Sequence, residues 1–119
     1  MKTVQIILII IVALLHFYFL ILEMFLWTKP QGLKAFGLPK KLAEQTIVLG
    51  ANQGLYNGFL AAGLIWSLVS QDFTNQIATF FLSCVIIAGV YGAYSTKKIK
   101  LFYIQSVPAI LALIVTLQY

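Results

Sequence analysis

Charge is what this sequence has least of: Asp, Glu, Lys and Arg make up 9% of its 119 residues, while 61% are hydrophobic and the mean hydropathy is +0.96. A soluble domain carries about 25% charged residues, so an ordinary water-soluble fold is excluded. At this length the apolar segments leave no room for a separate soluble catalytic domain, a nucleotide-binding fold or a nucleic-acid-binding module. The acids are only Glu23, Glu44 and Asp72, and the net charge of +5 comes from eight lysines and no arginine. Their clustering is a topology signal, and no nucleic-acid partner is implied. The lone Cys84 excludes an intramolecular disulfide. One His and one Glu two turns apart do not make a recognisable ligand set, so neither a metal nor a cofactor is expected.

What the chain has in quantity is long apolar stretches. Crossing about 30 Å of hydrocarbon takes roughly 20 residues of helix, and four segments qualify: residues 4–27, 46–69, 77–94 and 101–117. The expected fold is therefore an all-α membrane protein, one domain over residues 1–119, with four transmembrane helices in an antiparallel bundle. The first apolar run exceeds the roughly 7–15 residues of a signal core and ends at Glu23, Trp27 and Lys29, which reads as an interface anchor on a retained helix. Residues 28–45 form a first loop with Lys29, Lys34, Lys40 and Lys41. Residues 95–100 form a third with Lys97, Lys98 and Lys100. The opposite side has Lys2 and Asp72, so the positive-inside rule places loops one and three in the cytoplasm and both termini outside a multi-pass protein of the cytoplasmic membrane. Leu33, Phe36 and Leu38 suit loop one to the headgroup surface, with its lysines against anionic lipid; a solvated connector is the alternative.

Polar side chains inside hydrocarbon are costly and mark candidate sites. His16 and Glu23 are seven residues apart and share a face of the first helix, about 10.5 Å apart along its axis. The second helix carries Asn52, Gln53, Tyr56 and Asn57, the third Tyr91 and the fourth Gln105. Counting rise from the cytoplasmic end of each span puts Glu23, Asn52, Gln53, Tyr91 and Gln105 in one layer about 5–10 Å deep. His16, Tyr56 and Asn57 form a second near 15–17 Å. The outer half of each span reads as aliphatic and aromatic, so the site opens toward the cytoplasm. Interhelical hydrogen bonding alone accounts for single Asn and Gln residues, whereas such glue does not need an acid.

Gly50, Gly54, Gly58 and Ala62 form a small-residue ridge on the second helix, and Cys84, Ala88 and Gly92 a matching one on the third. Tight packing of helices two and three is the simplest reading. Pro108 frees a backbone carbonyl near Ile104 and loosens the fourth helix beside Gln105.

The run Asn52-Gln53-Gly54-Leu55-Tyr56-Asn57-Gly58-Phe59-Leu60-Ala61 stands after His16, Glu23 and Trp27 and before Gly89, Gly92, Gln105 and Pro108-Ala109. With these residues the whole chain resembles the bacterial membrane-protein family known as domain of unknown function 1304. The resemblance implies a short four-span protein of the bacterial cytoplasmic membrane and no particular activity.

Three functions fit the residues. An acid and a histidine at two depths with amides between them suit a proton-linked or cation-linked transporter or channel, the favoured reading, which requires a homo-oligomer because four short helices rarely enclose a path. A membrane enzyme on a lipid-soluble substrate would use Glu23 or His16 as general base, but Ser83, Cys84 and Ser106 have no adjacent base in sequence. An accessory subunit needs no site. The partners expected are the bilayer, further copies of the chain, and a small-molecule or lipid ligand.

Overall fold

A computed structural model describes residues 2–119, and among these every regular element is a helix. The order is α1 (Thr3–Met24), α2 (Pro30–Phe36), α3 (Lys40–Gln45), α4 (Ile47–Val69), α5 (Thr74–Thr96), a π-helical turn (Phe102–Ser106) and α6 (Val107–Leu117). α1 and α5 are long and apolar enough to cross a membrane. α4 is as long as α5 but carries the polar stripe, and the last apolar helix, Phe102–Leu117, is shorter.

The chain forms two compact units. One comprises the residues up to Leu14 together with Leu60–Tyr119, the other Leu15–Phe59. The larger unit is built on Ile9, Val12 and Ala13 of α1, Leu64 of α4, Ala78, Leu82 and Val85 of α5, and Ala109 and Ala112 of α6, all buried together. Alternating large aliphatics with alanine lets helix surfaces approach closely. Within it α5 packs against the π-turn and α6. The π-turn falls where Pro108 removes a donor: the Val107 N–H bonds to the Phe102 carbonyl, one residue beyond the α-helical partner. Ser106 Oγ donates to the Ile86 carbonyl at 3.0 Å, and Gly89 makes room, since a Cβ there would collide with that hydroxyl.

The smaller unit corrects the expectation for residues 28–45, which are two short helices rather than an open loop. Pro30 opens α2 in its first turn, and Gly37 closes it at φ 61°, a left-handed conformation that favours glycine. The Trp27 ring lies 5.3 Å from that of Phe36, and its Nε1 donates to Thr46 Oγ1 at 3.1 Å, just before α4 begins. Trp27 thus ties the end of α1 to the start of α4.

On α1 the exposed side is largely apolar, with Val4, Ile7, Leu14, Phe17 and Ile21, while the polar Gln5, His16 and Glu23 are buried among Ile9, Val12, Ala13 and Leu22.

Candidate functional site

The smaller unit brings the C-terminal half of α1 against the N-terminal half of α4 through glycine. A Cβ added at Gly50 would meet the Trp27 ring at 2.6 Å, and one at Gly58 would meet Leu20 Cδ1 at 2.6 Å. One added at Gly54 would lie 2.7 Å from Met24 Cγ, 3.0 Å from Glu23 Cβ and 3.2 Å from the Leu20 carbonyl oxygen. Leu20 and Glu23 of α1 and Trp27 just beyond its end therefore stand opposite Gly58, Gly54 and Gly50 in antiparallel order. This corrects the expected pairing of the ridge with the third helix: Gly50, Gly54 and Gly58 serve α1, and it is Gly63, outside the ridge, that admits Phe81 of α5. The reason is that a ridge of small residues specifies close approach and leaves the partner open; here the large side chains that fill it come from α1. On α5, Ala88 is exposed and Gly92 faces Leu101 and Gln105.

Close approach at Gly54 carries Glu23 between two side chains of α4. Gln53 Nε2 donates to Glu23 Oε2, and Asn57 Nδ2 donates to Glu23 Oε1 at 2.5 Å. Gln53 and Asn57 are four residues apart and share a face, so one turn of α4 supplies one donor to each carboxylate oxygen. Glu23 is 1% exposed and Asn57 is buried, whereas Gln53 stands at the open edge. His16 is fully buried two turns earlier on α1, its ring edge-on to Phe19 at 5.3 Å.

The other expected site residues lie elsewhere. Asn52 and Tyr56 are on the exposed side of α4, with Tyr56 near Phe59, and Tyr91 is exposed on α5. Gln105 sits half-buried in the π-turn of the larger unit, near Gly92. Asn57, expected a layer deeper than Glu23, reaches the carboxylate itself, because a side chain spans the single turn that rise per residue counts as depth.

A second polar cluster was not expected. In the larger unit Gln5 is fully buried, and its Nε2 donates to Asn75 Oδ1 at 2.9 Å and to Thr116 Oγ1 at 3.4 Å. The expectation that this end of the apolar segments is only aliphatic and aromatic is therefore not met. The signal was in the sequence: Gln5 lies eleven residues before His16, three helical turns, on the face that His16 and Glu23 share.

The chain belongs to the family described as protein of unknown function (DUF1304), whose model matches residues 10–117. It is similar to the uncharacterized protein YpaA of Lactococcus lactis subsp. lactis (strain IL1403), with 34% identity over 116 residues that cover 96% of this chain and 97% of that one. No solved structure matches it.

Proposed function

We propose that the chain is a small multi-pass protein of the cytoplasmic membrane in which Glu23, Gln53 and Asn57 bind a proton or small cation as one step of a permeation path. On this reading it is a transporter or channel that works as a homo-oligomer. One observation carries it: a buried acid whose two donors are both neutral amides. Amides orient a carboxylate but do not cancel its charge, and an uncompensated charge in a low-dielectric interior is expensive. A mobile cation, the proton included, supplies what the fixed neighbours do not. The membrane placement is supported by the largely apolar exposed face of α1, whose polar side chains Gln5, His16 and Glu23 are turned inward, where a helix in water would turn them out. The enzyme reading gains less support, because the Ser106 hydroxyl is committed to the Ile86 carbonyl and that of Ser67 to the Leu64 carbonyl at 2.6 Å.

The test is flux. Purified protein in liposomes loaded with a pH-sensitive dye, with and without a potassium or sodium gradient, is expected to pass protons or one of these cations faster than empty liposomes. Glu23→Gln keeps the shape and should remain folded with flux lost. Flux from the wild type equal to empty liposomes, or unchanged in Glu23→Gln, overturns the reading. For topology, Gln71→Cys in a background with Cys84 replaced is expected to react with an impermeant thiol reagent added outside intact cells, and Lys40→Cys to stay unmodified; the reverse pattern overturns the orientation.

A further inference from the structure

The larger unit holds a cavity of about 740 Å³ between the start of α1, the turn joining α4 to α5 and the end of the chain, with Gln5, Ser70, Asp72, Thr74, Asn75 and Tyr119 in its wall. Gln5 is the unusual member. Its Nε2 is spoken for, but its Oε1 is buried with no hydrogen-bond partner. Reversing the amide does not cure this, since it exchanges an unpaired acceptor for an unpaired donor. A buried, unpaired amide oxygen costs about 1–3 kcal/mol, so a donor belongs there.

The neighbours define what kind of donor. The Ser70 and Thr74 oxygens are occupied within the turn: Thr74 Oγ1 donates to the Ser70 carbonyl at 2.7 Å, and Ser70 Oγ accepts from the Phe73 N–H at 3.2 Å. Asp72 adds a negative charge to the wall, and no lysine is among the described residues that form it. Tyr119 already accommodates an ammonium on its ring, with Lys2 Nζ 5.3 Å from the centroid, a cation–π distance. With the Tyr119 ring taken by Lys2, the unpaired acceptor and the carboxylate remain, and together they suit a second primary ammonium group. The first turn of α5 opens on the same space, and its leading backbone N–H groups, without partners inside the helix, suit a phosphodiester.

The polar cavity does not end alone. A second cavity of about 500 Å³, walled by the apolar Trp66, Phe73, Ile77 and Phe80, shares Ser70 and Gln76 with the first. A polar cavity that shares two wall residues with an aromatic groove has the outline of an amphiphile. We infer that this part of the molecule is a binding site for a phospholipid with a primary ammonium headgroup, the ammonium at Gln5 Oε1 and Asp72 and an acyl chain along Trp66, Phe73 and Phe80. The inference rests on the membrane placement proposed above and not on the permeation step at Glu23.

Native mass spectrometry of the detergent-purified protein with added phosphatidylethanolamine, phosphatidylcholine or phosphatidylglycerol tests it. Phosphatidylcholine is the informative control, because it keeps the charge, the phosphodiester and the chains but has no N–H to give Gln5. One retained phosphatidylethanolamine is expected, bound about tenfold more tightly than phosphatidylcholine, as one charge-assisted hydrogen bond warrants. Gln5→Leu should erase that preference, and Asp72→Asn, on an exposed residue that cannot disturb the core, should weaken it. Equal retention of the ethanolamine and choline lipids, preference for phosphatidylglycerol, or no retained lipid overturns the inference, the last outcome meaning that water serves Gln5. Glycerophosphoethanolamine binding as tightly as the lipid overturns the groove assignment. Loss of flux at Glu23 leaves all these outcomes unchanged, so the two readings fail separately.

Discussion

Two buried polar clusters hang from one face of α1, and they are built on different terms. Near the C-terminal end of the helix, Glu23 has a donor on each carboxylate oxygen, delivered by residues one turn apart on α4. Near the N-terminal end, Gln5 has acceptors for its amino group and nothing for its oxygen. The first cluster is satisfied in geometry and uncompensated in charge; the second carries no charge and is incomplete in hydrogen bonds. Each deficit names its own visitor, a small cation at Glu23 and a hydrogen-bond donor at Gln5. The packing differs in degree, since three successive glycines of α4 bring the helices together around Glu23, whereas the unit that holds Gln5 is built on an aliphatic and alanine core with single close contacts at Gly63 and Gly89.

The largest break in this comparison is expected from Gly54→Leu. The nearest atoms include the Leu20 carbonyl oxygen and the Glu23 Cβ, which cannot turn aside as the tip of a flexible side chain would. Overpacking costs typically about 1–3 kcal/mol even where side chains can adjust, and more against backbone. The variant should lose the monodisperse, cooperatively melting species seen by size exclusion and circular dichroism in detergent. Leu55→Ala, on the exposed side of the same turn, should melt close to wild type. A Gly54→Leu protein as heat-resistant as wild type would mean that α1 does not lie on the glycine ridge.

Much of the Glu23 cluster is legible in the sequence, because an acid in an apolar run must find donors and rise per residue puts Gln53 at its depth. Asn57 was displaced by one turn in that count, since depth along an axis ignores the reach of a side chain. Pro108 announced the π-turn through its missing N–H. The helices of residues 30–45 were also signalled, by Pro30 at the start of α2 and Gly37 at its end, but lysine-rich, proline-bounded composition reads more readily as loop. Gln5 is harder to read, because a glutamine near the end of an apolar helix is ordinarily solvated. Only the fold brings Asn75 and Thr116, 70 and 111 residues away in sequence, onto its amide.

Within the Glu23 cluster the two donors should differ. Asn57 is buried, and Asn57→Ala removes a hydrogen bond to a buried carboxylate, which costs about 1.5–3 kcal/mol. Gln53 stands at the open edge, so Gln53→Ala should cost about 0.5–1.5 kcal/mol. Chemical or thermal denaturation in one detergent measures both. A larger loss at Gln53 would place the burial of the carboxylate on the wrong side.

The two ends of α1 should also respond oppositely to an apolar replacement. Glu23→Leu leaves the buried Asn57 amide without its acceptor and should destabilise by about 1–3 kcal/mol. Gln5→Leu removes the unpaired oxygen together with its donor, and the half-buried Asn75 can turn to solvent, so in lipid-free detergent the change should stay within about 1 kcal/mol of zero. Equal losses at both ends would erase the distinction between a satisfied and an incomplete cluster.

The smallest effect concerns the tie between α1 and α4. Trp27→Phe keeps an aromatic ring beside Gly50 and Phe36 but loses the donor to Thr46 Oγ1, a single half-buried hydrogen bond worth about 0.5–1.5 kcal/mol. Thr46→Val loses the same bond and also the one that its hydroxyl gives to the Leu42 carbonyl at 2.8 Å, so it should cost more. If the tryptophan acts through this bond, the double variant melts no lower than Thr46→Val alone, apart from the packing lost with the indole, and the cycle gives a coupling of about 0.5–1 kcal/mol. Strict additivity would show that Trp27 holds the start of α4 by filling the space over Gly50 alone, and the indole N–H would then add nothing to the geometry that sets Glu23 opposite Gln53 and Asn57.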